Sequence, residues 1–105
     1  MRIFGTWVAI VACGVLSTTP ALASGEERGK ELIASLGCKG CHKLDGSGGT
    51  VGPDLAKVGS RMNEARLRQQ LLDPKAINPK SMMPSYQHLP EKDIEAMVDF
   101  MEKQK

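Results

Sequence analysis

The run Cys38-Lys39-Gly40-Cys41-His42 constrains this chain more than any other feature. Two thiols separated by two residues sit on one tight turn, where both can reach the two vinyl groups along one edge of a porphyrin and close thioether bonds. The next residue, His42, is then delivered to the iron. Covalent attachment holds its neutral imidazole at an effective concentration that no reversible pocket matches. A chain that does this must wrap itself around a flat, largely apolar disc. C-x-x-C also occurs in thioredoxin-like redox pairs and in half of a zinc site. The first needs a βαβ pattern, but no alternating β-branched run precedes Cys38 and glycine-rich sequence follows it. The second needs four ligands, and beyond the motif the chain offers only His88 and Cys13. Haem attachment is the reading that the residues favour.

The N-terminus bounds the compartment. Arg2 precedes an apolar run over residues 3–16, followed by small residues and Ala21-Leu22-Ala23, the order of a charged n-region, an h-region and an A-x-A cleavage site. Residues 1–23 are read as a cleaved secretory signal peptide and residues 24–105 as one domain. The apolar run is short for a bilayer and is broken by Gly5, Thr6 and Gly14, which disfavours an uncleaved anchor. A second reading is that Ile10-Val11-Ala12-Cys13 loosely resembles a bacterial lipobox, which would put a lipid anchor on Cys13. Export makes the expected location periplasmic, and covalent haem attachment by bacterial machinery takes place outside the cytoplasmic membrane. The mature chain keeps two cysteines, both within the motif, so no disulfide framework is available. A core of side chains alone is marginal at this length, and a buried macrocycle supplies the missing apolar volume.

Along the mature chain, Ser24-x-x-Glu27 has the form of a capping box. The segment behind it puts Leu32, Ile33 and Leu36 on one helical face, with Gly37 as the stop. Gly29 lies one turn earlier on that face, where a missing side chain either lets another helix come close or merely frays the helix. Residues 43–60 carry five glycines and Pro53 and follow neither the helical nor the strand period, so they are read as a loop wrapping something. Within it, Thr50-Val51-Gly52-Pro53-Asp54-Leu55 can offer a buried carbonyl to the second ring proton of His42. Asn63 caps a helix through Leu67, Leu71 and Leu72 that ends before Asp73-Pro74. Arg66 and Arg68 are read as solvated charges and Arg61, at the start of that helix, as a partner for a haem propionate. Residues 76–86 are again irregular and contain Met82-Met83-Pro84, where a rigid loop either presents a soft thioether ligand or merely fills the core with a methionine. Pro90 opens a last helix with Glu91, Asp93 and Glu95 near its positive end. Its stripe is Ile94, Met97, Val98 and Met101, with Lys103 and Lys105 at the far end.

In order as well as motif, these residues resemble the class I, mitochondrial-type cytochrome c family, and in size the small bacterial cytochromes of the c551 type. C-K-G-C-H follows the first helix, G-P-D-L sits in the next loop, M-P-S-Y comes late, and V-D-F-M lies in the final helix. The resemblance implies an all-α class I cytochrome c fold, with three to four helices and long loops around one covalently attached haem c and with the N- and C-terminal helices crossing. It implies Cys38 and Cys41 as thioether sites, His42 as proximal ligand and Met83, directly before a proline, as distal ligand. Pro53 matches the proline whose carbonyl accepts from the proximal histidine. Gly29 and Phe100 match the pair at the helix crossing. Met82 and His88 compete with Met83, and the mature chain has no tryptophan to bond a propionate.

Charge is unevenly spread. Residues 38–80 hold eight basic and four acidic groups, while residues 24–37 and 81–105 together hold five and eight. A basic haem face with Lys39, Lys43 and Lys80 as rim candidates would steer the haem edge toward acidic partners in brief, salt-sensitive encounters. The expected function is a monomeric periplasmic one-electron carrier between a redox-protein donor and acceptor, cycling Fe(III)/Fe(II) without substrate chemistry. Two alternatives are an electron-entry subunit of a respiratory or sulfur-oxidising complex and a gas-binding sensor or peroxidase-like protein. The last needs an open sixth position, against which Met83-Pro84 argues. A small net charge of +2 and no aromatics set in a basic patch argue against nucleic acid.

Overall fold

A computed structural model describes residues 25–105, together with Gly5, Ala9 and residues 14–17. The remainder of the expected signal peptide, including Cys13 and Ala21-Leu22-Ala23, and the proposed cap Ser24 lie outside the described residues.

The last helix, α5 (Glu91–Glu102), is the centre of the packing. Its predicted stripe is buried in full, with Met97 at 0% and Ile94 at 1% exposure. Ala96 and Phe100 are buried as well, so the covered face is wider than the stripe. The reason is that two helices flank it: α1 (Gly25–Ser35) and α3 (Glu64–Leu72) both pack on α5. Each large side chain so buried contributes roughly 1.5–3 kcal/mol. Helix α1 turns Leu32 and Ile33 inward as expected, and α3 does the same with Leu67 and Leu71.

The crossing of α1 and α5 is set by a missing side chain. A Cβ on Gly29 would collide with the Ala96 carbonyl oxygen and lie 2.7 Å from Cβ of Phe100. Gly29 is therefore a packing contact, and the two backbones touch. Ion pairs staple the crossing at its edges, Arg28 Nε to Asp93 Oδ1 at 3.3 Å and Lys103 Nζ to Glu26 Oε2 at 3.0 Å. The Asp93 carboxylate, in turn, raises the pKa of the Arg28 guanidinium above its ordinary value.

Five helices are present among the described residues rather than three or four, because α2 (Val58–Arg61) and α4 (Pro74–Ile77) are single turns, too short to show a 3.6-residue period. Asn63 caps α3 as expected, its side chain accepting from the Arg66 N–H at 2.9 Å. Asp73 ends α3 and then caps α4 through the Ala76 N–H, with Pro74 in the first turn. The carbonyls left open at the end of α3 are taken by the next strand of loop: Tyr86 N–H donates to Leu71 O and the Ser85 hydroxyl to Leu72 O. Pro90 is the residue before α5 rather than its first turn. Arg68 is not merely solvated, since it pairs with Glu91 and ties α3 to the start of α5.

The loop expected over residues 43–60 contains a small antiparallel hairpin, β1 (Lys43–Leu44) with β2 (Ser47–Gly48), in the register Lys43 to Gly48 and Leu44 to Ser47. Asp45 and Gly46 turn it, both at positive φ. Asp-Gly between two strands is a strong hairpin signal. Strands of two residues give no alternation to read, which is why the period missed them.

Candidate functional site

Cys38 to Gly40 form a single 3₁₀ turn behind Gly37, which sits in the left-handed region at φ 75° and ends α1 as expected. His42 N–H donates to Cys38 O at 2.9 Å, closing the turn so that both thiols and the imidazole are displayed from one short stretch. Both thiols are free, Cys38 half-buried and Cys41 exposed. Burial pushes the Cys38 thiol up from its ordinary pKa, an effect opposed by a hydrogen bond with the Tyr86 side chain. Tyr86 is itself buried, and its phenol is pushed up first by that burial and then by the neighbouring Cys38.

His42 is held on two sides. Its Nδ1 lies 2.8 Å from Pro53 O. A carbonyl only accepts, so Nδ1 carries the proton and Nε2 keeps the lone pair. Beneath the ring is Gly52, where a Cβ would fall 2.6 Å from Nδ1 and collide with Cε1. The loop bearing Pro53 is bound to the motif strand by Gly52 N–H to Cys41 O at 2.7 Å and Leu55 N–H to Lys43 O at 2.8 Å.

Cys38, Cys41, His42 and Met83 line one cleft of about 560 Å³, and Leu55, Val58, Leu67, Leu71 and Met101 are among its apolar walls. That volume lies within the range of about 300–1,000 Å³ for cofactor sites. Met83 is half-buried and packs on the core, and the Gln70 side-chain amide donates to its Sδ at 3.5 Å. Met82 also borders the cleft but is 81% exposed. His88 is exposed outside it, its ring 6.3 Å from that of Tyr86. Arg61 borders the cleft as the last residue of α2 rather than at the start of the longer helix, and its guanidinium donates to Asp54 O at 2.7 Å. Of the three rim lysines, Lys80 lines the cleft whereas Lys39 and Lys43 do not.

Gln70, Tyr86 and the cradle at Gly52 were not singled out by the spacing of residues. Gln70 and Tyr86 meet the site only through long-range packing, and no local pattern marks them. Gly52 was visible as part of Gly-Pro, but its need to clear an imidazole ten residues back was not.

The residues fit a covalently bound haem: free thiols on one turn, an imidazole whose Nδ1 faces a carbonyl, and an apolar cleft bordered by a thioether. A helical frame with such a cleft defines a class I c-type cytochrome. The sequence profile of the family described as Cytochrome c matches residues 26–105, and the chain belongs to that family. Membership in that family implies covalently bound haem c. The chain is also similar to cytochrome c oxidase subunit 2 of Alkalihalophilus pseudofirmus, at 26% identity over 93% of this chain. It spans 30% of that relative's length. Among the described residues no helix is long and apolar enough to cross a membrane.

Proposed function

We propose that the exported chain is a periplasmic, monomeric one-electron carrier with a single haem c, joined through Cys38 and Cys41 and ligated by His42 and Met83. The observation that carries this reading is the Nδ1 to Pro53 O bond at 2.8 Å, because it leaves Nε2 as a ligand atom bordering the same cleft as the half-buried Met83. When bound, the haem supplies an Fe(III)/Fe(II) couple. Pro53 orients the imidazole and increases its basicity, which favours the ferric state. Met83 opposes this, since thioether sulfur favours the ferrous state, and it also closes the sixth position to small molecules. Gly52 keeps the imidazole seated and the apolar walls exclude water. Arg61 and Lys80 place positive charge at the cleft rim, which supports transient docking of an acidic redox partner at the haem edge. The proposed role is that of a carrier without substrate chemistry, and membership in the cytochrome c family supports it.

The burial of Met83 favours it over the largely exposed Met82, and the position of His88 outside the cleft disfavours bis-histidine ligation. The test is the ferric optical spectrum. Sulfur ligation gives a weak long-wavelength band, expected in wild type and Met82→Ala and absent in Met83→Ala. A wild-type protein that lacks the band and binds carbon monoxide readily when ferrous would overturn the assignment. A second reading, an electron-entry domain of a respiratory complex, is favoured by the similarity to an oxidase subunit. Recovery in a stable complex with membrane subunits would support it against the free carrier.

A further inference from the structure

We propose that Arg61 is a positioning residue for the proximal ligand, acting through the backbone of the Gly52-Pro53-Asp54-Leu55 loop. The inference rests on His42 being that ligand.

The loop must present one carbonyl, that of Pro53, at a fixed point and direction. Proline has no N–H with which to anchor itself. Its neighbours do the anchoring: Gly52 N–H on Cys41 O and Leu55 N–H on Lys43 O hold the loop from the motif side. Between these two bonds the Pro53–Asp54 peptide can still rotate, and any rotation swings the Pro53 carbonyl off the imidazole. The Asp54 side chain accepts from Ala56 N–H at 2.8 Å, which shapes the exit of the loop but leaves its backbone carbonyl unused. Arg61 Nη2 takes that carbonyl at 2.7 Å. A charge-assisted bond from a planar guanidinium is strong and directional, and together with the Leu55 N–H bond to Lys43 O it holds both edges of the Asp54–Leu55 peptide, the plane next to the one that matters.

The other end of the clasp is rigid. Arg61 closes α2, where Val58 is buried and Met62 N–H returns to Val58 O at 2.9 Å. Gly59 N–H donates to Gln104 O at 2.7 Å, which joins α2 to the end of α5. The path from α5 through α2, Arg61, Asp54 and Pro53 to His42 Nδ1 thus runs from the core of the fold to the ligand in short, defined contacts. The influence of Arg61 on His42 passes through the Pro53 carbonyl.

The experiment is proton NMR of the ferrous, haem-loaded protein, reading the solvent exchange rate of the His42 ring N–H. Loss of one anchoring hydrogen bond is expected to speed exchange roughly tenfold in Arg61→Met, with Arg61→Lys, which keeps the charge but offers a single point donor, falling in between. A folded variant of either kind that exchanges at the wild-type rate overturns the inference, because a residue serving only a propionate or the surface charge leaves this proton alone. If Arg61→Met takes up no haem, Arg61→Lys decides the matter by the same criterion. Wild-type His42 ring protons that lack the large shift caused by the macrocycle would overturn the ligand assignment, and this inference with it. Shifted ring protons with unaltered exchange in the variants overturn the role of Arg61 alone.

Discussion

Gly29→Ala separates two effects of opposite sign. Within a helix, replacing glycine by alanine ordinarily gains about 1 kcal/mol, because alanine loses less backbone freedom on folding. At Gly29 the added Cβ has no room: it would overlap the Ala96 carbonyl oxygen and stand 2.7 Å from Cβ of Phe100. Both obstacles belong to α5, whose Ile94 and Met97 are buried essentially completely, so α5 cannot retreat without opening the core. Overpacking costs about 1–3 kcal/mol, and a backbone obstacle belongs at the upper end. The net loss is then about 2 kcal/mol. For a domain of this size that lowers the melting temperature by about 8–16 °C. Thermal unfolding of the haem-loaded protein followed by far-UV circular dichroism gives the value. Ala34→Gly, at an exposed position of the same helix, supplies the propensity term by itself and should cost about 1 kcal/mol. A Gly29→Ala protein that melts at or above the wild-type temperature would refute the reasoning, since α1 and α5 would not then be in backbone contact.

Gly52→Ala should disturb the site more than the fold, because the three atoms nearest its Cβ all belong to the His42 ring. The expected outcome is near-wild-type helix content with an altered ferric spectrum, and an unchanged spectrum counts against the cradle. Asn63→Ala removes the acceptor of the Arg66 N–H and should cost about 1 kcal/mol, seen as a lower denaturant midpoint at unchanged slope. Burial raises the Tyr86 phenol above its ordinary value of 10.0. The folded state therefore holds this proton more tightly than the unfolded chain: its contribution is complete below pH 10.0 and is lost as the pH climbs through the raised value. Melting temperatures of wild type should fall more steeply than those of Tyr86→Phe above that pH, and parallel curves would argue against the shift.

The stripe on α5 was legible because four apolar residues at helical spacing leave little choice of face. The cap at Asn63 and the stop at Gly37 were legible because each depends on one residue and its nearest neighbours. Short elements were not. The hairpin at Asp45-Gly46 and the single turns α2 and α4 have too few residues for a period, and their stability comes from what they pack on. Arg61 shows the same limit in the site. Its charge and its place near the haem face were readable, but its partner is a backbone carbonyl seven residues away, and no side-chain pattern announces a carbonyl.

The sequence by itself determined the chemistry. C-x-x-C-H holds the proposed attachment points and one proposed ligand within five residues, and the order of motifs along the chain specified the family and the two helices that cross. Tertiary structure alone decided how tightly those parts are held. It brought Met83 to the same cleft as His42 while leaving Met82 in solvent, and it set Gly52 under the imidazole and Gln70 against the Met83 sulfur. The physical reason is range. Covalent spacing and helical period act over a few residues, whereas the direction of a carbonyl or the burial of a thioether is fixed by elements tens of residues apart that meet only when the core closes.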